Sequence, residues 1–336
     1  MGALPTATTS VYDSYWRFAA ERLAMYERRL EGAPGPWTED PVLRTYRFTN
    51  TYRAADRVSQ YLIAEVQYGE GRSQAPSELF FRTLLFKLFN KIETWERLER
   101  RLGPLAWQSA DFDKISRILS EAIDRGERIY SAAYIMPAPA YAFARKHENH
   151  LALLKEMMLD GLPARVQAAS NLEAVYDLIR PYRGLGPFLA FQYTIDLNYS
   201  HLLDFDEADF VVAGPGALDG IAKCFEDANS YRAEEIIYQM VDMQEQEFSR
   251  RGLDFRGLFG RPLKPIDCQN LFCEISKYAR VAHPAIAGTS NRTRIKQGYE
   301  PVRTSLPTPV FPPRWGLSVP SGLRRSQPQG QLSLFA

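Results

Sequence analysis

The sequence predicts an all-α protein, and three observations carry this prediction. Apolar and aromatic residues recur at helical spacing through most of residues 10–285. Alternation with a period of two residues, the pattern of a half-buried strand, never persists beyond a few residues. Glycines and prolines interrupt the helical pattern and separate neighbouring helices. The predicted helices span residues 12–29, 43–64, 77–102, 111–125, 147–160, 172–182 and 226–250.

Composition narrows the class of protein. A chain of 336 residues can bury a sizeable core in one large domain or two modest ones. Hydrophobic residues at 45% and charged residues at 24% are typical of a soluble globular protein. No apolar run reaches the roughly 18 residues of a membrane span, and the N-terminus does not resemble a signal peptide. These features predict a cytoplasmic protein with no membrane partner, associated with the nucleoid if it binds DNA.

Charge is distributed unevenly along the chain. The net charge of +1 excludes a global basic field, so any nucleic acid must be bound by a local patch. Residues 291–336 hold seven Lys or Arg against one Glu, together with seven prolines. Such a segment buries too little apolar surface to fold alone. We therefore expect a helical domain at residues 10–288 and a disordered, basic, proline-rich tail at residues 289–336.

Cysteine and histidine usage argues against a metal centre. The chain has three cysteines, too few for a four-cysteine iron–sulfur cluster. Cys268 and Cys273 have the wrong spacing for a zinc knuckle, and the four histidines are scattered. We expect Cys224, Cys268 and Cys273 to be buried structural residues and predict no metal site from them.

A glycine hairpin precedes one predicted helix. Gly184 and Gly186 flank a tight turn, and backbone N–H groups at the following helix N-terminus suit a phosphate. A carboxylate cluster that includes Glu207 and Asp209 follows about one helix later. This order resembles helix-hairpin-helix DNA glycosylases, which implies a glycosylase-like helical domain acting on a base in DNA. No lysine follows the hairpin, which argues against a lyase and leaves a monofunctional glycosylase open. No strand precedes the glycines, so they are not a dinucleotide-binding fingerprint.

A second informative block begins at Pro41. The spacing i, i+4, i+7 and i+11 predicts that Tyr46, Asn50, Arg53 and Arg57 share one face of a helix. These side-chain types suit phosphate and base-edge contacts better than the Lys–Glu pairs of an ordinary solvated face. The alternative is a surface helix held by Arg–Asp pairs.

Several multi-residue strings occur in an order that resembles one family. That family is the helical domain linked to 5-hydroxymethyluracil DNA kinases, also called the α-glutamyl/putrescinyl-thymine pyrophosphorylase or amino acid:DNA transferase group. The resemblance covers roughly residues 12–285. The strings are Pro-Trp-Thr-x-Asp-Pro-x-Leu at 36–43, Tyr-Arg-Phe-Thr-Asn-x-Tyr-Arg-x-x-Asp-Arg at 46–57, Leu-Phe-Asn-Lys at 88–91, Phe-Gln-Tyr and Asp-Leu-Asn-Tyr at 191–199, Glu-x-Asp-Phe-Val-Val-x-Gly-Pro-Gly at 207–216, and Gln-Asn-Leu-Phe-Cys-Glu at 269–274.

The resemblance implies a chemistry. In the family pathway a kinase pyrophosphorylates 5-hydroxymethyluracil already in DNA, and a transferase displaces pyrophosphate with an amine such as glycine or putrescine. Such an enzyme must extrude the base, hold the leaving group and position the amine. The sequence contains no Gly-x-x-x-x-Gly-Lys-Ser/Thr motif, so a separate 5-hydroxymethyluracil DNA kinase is the expected partner.

Candidate residues follow from these roles. Arginines suit pyrophosphate, and a carboxylate suits the incoming ammonium as general base or as a ligand of Mg²⁺, the one cofactor left open. Aromatic rings could stack on the extruded base, although aromatics at helical spacing are more often core residues. The carboxylates could also merely cap the helix beside the Gly-Pro-Gly turn. The candidates are Asp209, Glu207 and Asp196 for catalysis, Arg47, Asn50, Arg53, Arg57 and Lys277 for substrate or phosphate, and Tyr193, Tyr199 and Phe210 for stacking.

The chain ends in Gln-Leu-Ser-Leu-Phe-Ala, which resembles the short peptide that bacterial replication proteins place on the β sliding clamp. Leu332, Leu334 and Phe335 would enter an apolar pocket, and Gln331 would bond at its rim. Short motifs also match by accident, but here apolar residues end a basic, proline-rich segment. A tether of this kind raises the local concentration of the enzyme at DNA.

Three functions therefore stand in order. The first is transfer of an amine onto pyrophosphate-activated 5-hydroxymethyluracil in DNA. The second is a monofunctional DNA glycosylase that excises a modified base. The third is a non-enzymatic, clamp-associated DNA-binding adaptor.

Overall fold

The computed structural model describes residues 5, 7–132, 136–301 and 305–320. Within these residues the chain forms helices and turns with only isolated antiparallel bridges, which confirms the all-α prediction. No helix in these ranges has the length and apolar character that crossing a bilayer demands. The α-helices are α1 (Ser10–Leu30), α2 (Pro41–Thr45), α3 (Arg57–Tyr61), α4 (Pro76–Phe89), α5 (Ile92–Leu102), α6 (Phe112–Asp124), α7 (Lys146–Leu159), α8 (Leu162–Gln167), α9 (Leu172–Ile179), α10 (Pro187–Asn198), α11 (Pro215–Cys224), α12 (Ala233–Asp242), α13 (Gln244–Arg250) and α14 (Pro265–Ala282).

Helices α1, α11 and α14 pack together and form one side of the core. Thr9 caps α1 by accepting the Val11 N–H, and the apolar stripe of α1 is buried against α14. Helices α11 and α14 approach very closely, because a Cβ on Gly220 would overlap the Phe272 carbonyl group. Helix α14 is thereby fixed as a buried support on which polar side chains can be positioned.

The predicted helix over residues 43–64 is wrong in its middle. Helix α2 ends at Thr45, Tyr46 is extended, and a 3₁₀ turn (Arg53–Ala55) precedes α3. Backbone groups in this interval bond outside a helix, since the Arg47 N–H donates to the Gln297 carbonyl and the Thr49 N–H donates to Glu274. The i, i+4, i+7, i+11 face therefore does not exist.

Two other predicted helices are also divided. The pattern over residues 77–102 forms α4 and α5, because Asn90 has a φ of 48° and ends α4 in the left-handed conformation that asparagine tolerates. The pattern over residues 226–250 forms a 3₁₀ turn followed by α12 and α13. Helices α9 and α10 are joined by a turn at residues 180–186, at the place predicted for the glycine hairpin.

Residues 305–320, here called the C-terminal strap, lie against the helical domain. Gln60 bonds both backbone groups of Val310, at 2.9 and 3.0 Å, and Phe311 is buried. The strap contains one short 3₁₀ turn (Pro313–Trp315). The tail was expected to be disordered from residue 289, and the structure differs for this part because its apolar residues find a surface to cover.

Candidate active site

Arg53 lies at the centre of a buried polar cluster. Its side chain is 8% exposed and points at the C-terminal half of α10. The guanidinium forms an ion pair with Asp196 at 2.8 Å and donates to Gln192 Oε1 at 2.9 Å and to the Tyr199 hydroxyl at 3.3 Å. The Arg53 backbone N–H donates to Asp267 Oδ1 at 3.3 Å, which joins α14 to the cluster. Four sequence-distant strings therefore meet at one arginine.

Asp196 is completely buried and has two cationic neighbours. Besides Arg53, Lys87 Nζ lies 3.3 Å from Asp196 Oδ2 and donates to Asn90 Oδ1 at 2.7 Å. Burial lowers the pKa of Lys87 to about 8, and the charge of Asp196 partly opposes this fall. The left-handed turn at Asn90 thus places an acceptor on the lysine. Lys87 can exchange a proton near neutral pH.

Glu207 forms a second carboxylate at the edge of the cluster. It is buried, with Arg261 Nη2 at 2.9 Å and Arg314 Nη2 at 3.8 Å. Burial raises the pKa of Glu207, although Arg261 and Arg314 pull it downward. Arg261 is itself held by a tight turn, since its carbonyl accepts the Tyr52 hydroxyl and a Cβ on Gly257 would overlap that carbonyl. Both arginines therefore converge on one carboxylate of raised proton affinity.

Asp267 connects the two parts. It accepts the backbone N–H groups of Arg53 at 3.3 Å and of Lys264 at 3.1 Å. Burial, with the nearby charge of Glu207, raises the pKa of Asp267 to about 7. Burial also raises the pKa of the Tyr199 hydroxyl, although the charge of Arg53 lowers it. At neutral pH the cluster consequently carries fewer negative charges than its carboxylates suggest.

The charge balance of the cluster favours an anion. Buried charges are costly, and a core that needed only stability would be better filled with apolar side chains. Among the described residues, three buried polar atoms at this edge have no hydrogen-bond partner: Glu207 Oε1, Arg261 Nε and Arg314 Nη2. The cationic members are Arg53, Lys87, Arg261 and Arg314, and the carboxylates are Asp196, Glu207 and Asp267. A phosphate-bearing group could complete this surplus of donors.

Asn50 and Lys277 belong to a separate network. Asn50 Oδ1 accepts from Arg22 at 2.7 Å, and the Asn50 N–H donates to Asp56 at 2.7 Å. Lys277 pairs with Glu274 at 2.9 Å, and Glu274 also accepts the Thr49 N–H. Burial raises the pKa of Asp56 to about 7. These contacts fix the irregular segment between α2 and α3 onto α1 and α14, so they explain both residues structurally.

The other predicted residues are dispersed. Asp209 is exposed and lies near Tyr238 on α12, away from the two ion pairs of Glu207. Arg47 is exposed, and Arg57 is partly exposed, 3.9 Å from Glu93. Tyr193 is a core residue beside Met136, and Phe210 packs on Tyr176 and Phe191. The structure brings together Arg53, Asp196, Tyr199 and Glu207 from the predicted set.

The glycine hairpin lies at the other end of α10. Gly184 has a φ of 77°, and a Cβ there would press on Pro139. Gly186 precedes the first helical turn in open surroundings, so the N–H groups at the start of α10 face outward. Gly186 and Asp196 are ten residues apart, or about 15 Å along a helix. The hairpin and the cluster are thus separate features on one rigid helix.

Sequence reasoning gave no role to several cluster residues. Lys87 had a readable signal, a lone lysine in the apolar run Leu-Leu-Phe-Lys-Leu-Phe at 84–89. Asp267 opens α14, where an acidic residue is normally only a helix-end feature. Arg261 and Trp315 had no local signal, because they reach the cluster through a turn and through the strap.

The remaining predictions concern metals and the C-terminus. Burial raises the pKa of Cys273 to about 12 and raises those of Cys224 and Cys268 further, as for structural thiols. Searching the described ranges finds no group of three or more His, Cys, Asp or Glu side chains arranged to hold a metal ion. The clamp-binding-like residues Gln331, Leu332, Leu334 and Phe335 lie outside the described residues.

Comparison with known proteins identifies relatives. The family described as "5-hmdU DNA kinase, helical domain" matches residues 9–288. The chain is 26% identical over 296 residues to the "5-hmdU DNA kinase" of Bacillus phage SP10. That match covers 82% of this chain and 46% of the phage protein, so the chain spans about half the length of that relative. No solved structure gives a significant match.

Proposed function

Because this chain belongs to the 5-hmdU DNA kinase helical-domain family, we propose that it is a DNA-modifying enzyme of thymine hypermodification. Its substrate would be 5-hydroxymethyluracil in DNA that a separate kinase has converted to the pyrophosphate ester. An amino acid or polyamine would replace the pyrophosphate. The observation that carries the proposal is the buried, cation-rich cluster around Arg53, to which several family strings contribute.

The proposed step is a substitution at the exocyclic methylene of the base. The bond from carbon to the pyrophosphate oxygen breaks, and the oxygen keeps the electron pair. A bond from carbon to the amine nitrogen forms, and the nitrogen loses a proton to a base. Arg53, Lys87 and Arg261 would stabilise the departing anion, since fixed cations in a water-poor site act strongly on developing charge.

Glu207 is the proposed proton acceptor. Its raised pKa makes it a better base than an exposed glutamate, and its Oε1 atom has no hydrogen-bond partner among the described residues. Asp196, fixed between Arg53 and Lys87, would orient these two cations. We propose that the exposed start of α10 at Gly186 contacts the DNA backbone about 15 Å away along the helix.

The direct test uses DNA that contains 5-pyrophosphomethyluracil. The purified protein would be incubated with this DNA and a pool of amino acids and polyamines, and the released nucleosides would be analysed by mass spectrometry. A heavier thymidine adduct is expected, and its mass would identify the amine. Released base with abasic DNA would show a glycosylase instead. Unchanged DNA bound by the protein would support the adaptor.

Glu207→Gln sharpens this test. We expect it to reduce adduct formation by roughly two to four orders of magnitude, the usual range for a lost general base. Glu235→Gln makes the same change at an exposed position on α12 and should not alter the rate. Equal rates for wild type and Glu207→Gln would exclude Glu207 as the proton acceptor.

A further inference from the structure

We propose that the slot between the Arg261 guanidinium and the Tyr199 ring is the binding site for the extruded pyrimidine base. Trp315 of the C-terminal strap fills this slot until DNA displaces it. The identity of the base as an activated 5-hydroxymethyluracil rests on the proposed function. The slot itself follows from the way Trp315 is held.

Trp315 makes the contacts that a stacked base would make. The Arg261 guanidinium carbon lies 3.9 Å from the centroid of the Trp315 ring, within the range of a close cation–π contact. The edge of Tyr199 meets the same indole, with ring centroids 5.8 Å apart and an interplanar angle of 85°. Guanidinium and aromatic planes are the groups on which proteins stack unpaired bases. An indole and a pyrimidine share the flat, electron-rich face that this slot recognises.

The strap closes the cluster to solvent. Arg53 is 7% exposed, and Asp196, Tyr199, Glu207 and Asp267 are also buried. Arg314, beside Trp315, lies 3.8 Å from Glu207 and donates to the Leu203 carbonyl at 3.0 Å. No base or pyrophosphate can reach these side chains with the strap in place. The site must therefore open, and the strap covers it at the edge where Glu207 and Arg261 lie.

The strap is attached in a way that permits release. Its principal contacts are the pair of Gln60–Val310 hydrogen bonds, the buried Phe311 ring and the bonds of Arg314. It contains no α-helix, and it follows the family match, which ends at residue 288. Arg261 and Tyr199 lie inside that match. The slot belongs to the shared domain and its cover does not.

Hydrogen exchange on the full-length wild-type protein tests the displacement directly. The probe is a duplex oligonucleotide with one 5-hydroxymethyluracil opposite a mismatch, which lowers the cost of extruding the base. Binding should increase exchange in residues 305–320 while residues 180–186 become protected. Greater protection of residues 305–320 would mean that the strap closes onto the DNA and would overturn the proposal. Unchanged exchange there would also overturn it.

Trp315→Ala tests the competition. If the strap occupies the slot in most molecules, removing the indole should tighten binding of the same oligonucleotide by about tenfold, because apparent affinity scales with the open fraction. Trp37→Ala is the matched control, since Arg29 lies over the Trp37 ring at 5.0 Å outside the cluster. Unchanged or weaker binding by Trp315→Ala, with an unaltered melting temperature, would contradict the proposal.

Arg261→Ala completes the design. It should weaken binding of the 5-hydroxymethyluracil oligonucleotide in both the wild-type and the Trp315→Ala backgrounds. Neither binding assay requires turnover, so the slot can be supported even if no amine adduct is found. Conversely, adduct formation with no effect of Trp315→Ala or Arg261→Ala on binding would retain the transferase and reject the slot.

Discussion

The molecule contains two buried ionic clusters that differ in kind. In one, Asp219 on α11 accepts from the Ser276 hydroxyl, pairs with Lys223 at 3.1 Å and accepts the Ser290 N–H at 2.7 Å. Burial alone would raise the pKa of Asp219, but these partners outweigh it and lower the pKa. In the Arg53 cluster, by contrast, burial raises the pKa values of Glu207 and Asp267.

The difference separates a structural cluster from a candidate site. The Asp219 cluster joins α11, α14 and the segment around residue 290, and its carboxylate oxygens are saturated. The Arg53 cluster holds more cations than Asp196 can neutralise, and its carboxylates keep protons more easily. A buried charge with complete partners holds elements together, whereas an incompletely balanced group of charges can receive a charged ligand.

The largest expected effect is that of Arg53→Ala. The substitution leaves Asp196 buried with Lys87 alone and removes the donors to Gln192 and Tyr199. Breaking a buried pair from one side typically costs about 3–5 kcal/mol. Urea denaturation should show that loss, and amine transfer should disappear even at temperatures where the variant is folded.

Asp219→Asn is the counterpart in the structural cluster. It keeps the size of the side chain and weakens the bonds to Lys223 and Ser276, with an expected loss of about 1–3 kcal/mol of unfolding free energy. The transfer rate of the folded variant should stay at the wild-type level. If Asp219→Asn abolished transfer while Arg53→Ala did not, the two assignments would have to be exchanged.

Local sequence signals predicted the helices but not all of their limits. Helix α10 begins after Gly186 with a proline in its first turn, a local signal that is readable in the sequence. The irregular segment after Thr45 has no such signal. It depends on the Glu274 carboxylate, which accepts the Thr49 N–H from 225 residues away in the chain. Periodicity cannot register a partner that only tertiary packing supplies.

The candidate site was predictable only in part. The family strings contain Arg53, Asp196, Tyr199 and Glu207, and the fold brings these four together. The strings give no direction to a side chain, so they could not separate buried Glu207 from exposed Asp209 two residues later. Arg261, Arg314 and Trp315 join through a turn and the strap, whose contacts leave no periodic trace in the sequence.

The two clusters should respond to pH in opposite directions. Folded Asp267 has a pKa of about 7, above the ordinary value of 3.8, so folding retains a proton that the unfolded chain releases. Its contribution to stability is complete below about pH 4 and is lost as the pH rises through about 7. The lowered pKa of Asp219 gives a contribution that is present above about pH 4 and is lost as the pH falls further.

Urea denaturation between pH 3 and 8 would measure both effects. Asp267→Asn should flatten the decrease in unfolding free energy between pH 5 and 8, where Asp56 also contributes with a pKa of about 7. Asp219→Asn should flatten the decrease at the acid end. A curve for Asp267→Asn parallel to that of the wild type would show that Asp267 does not carry the proton in the folded protein.

The smallest expected effect is that of Asp209→Asn. Asp209 is the carboxylate that the family string places first, yet it is exposed, near Tyr238 and outside the ion pairs of Glu207. An exposed change of this kind should alter the unfolding free energy by less than about 0.5 kcal/mol. If the Arg53 cluster carries the chemistry, transfer by Asp209→Asn should stay within about twofold of the wild type, against the large loss from Glu207→Gln. The adduct assay measures both on the same DNA. Loss of transfer in Asp209→Asn with transfer retained in Glu207→Gln would move the reaction to the α12 side of the molecule, and the Arg53 cluster would then be a second structural cluster like that of Asp219.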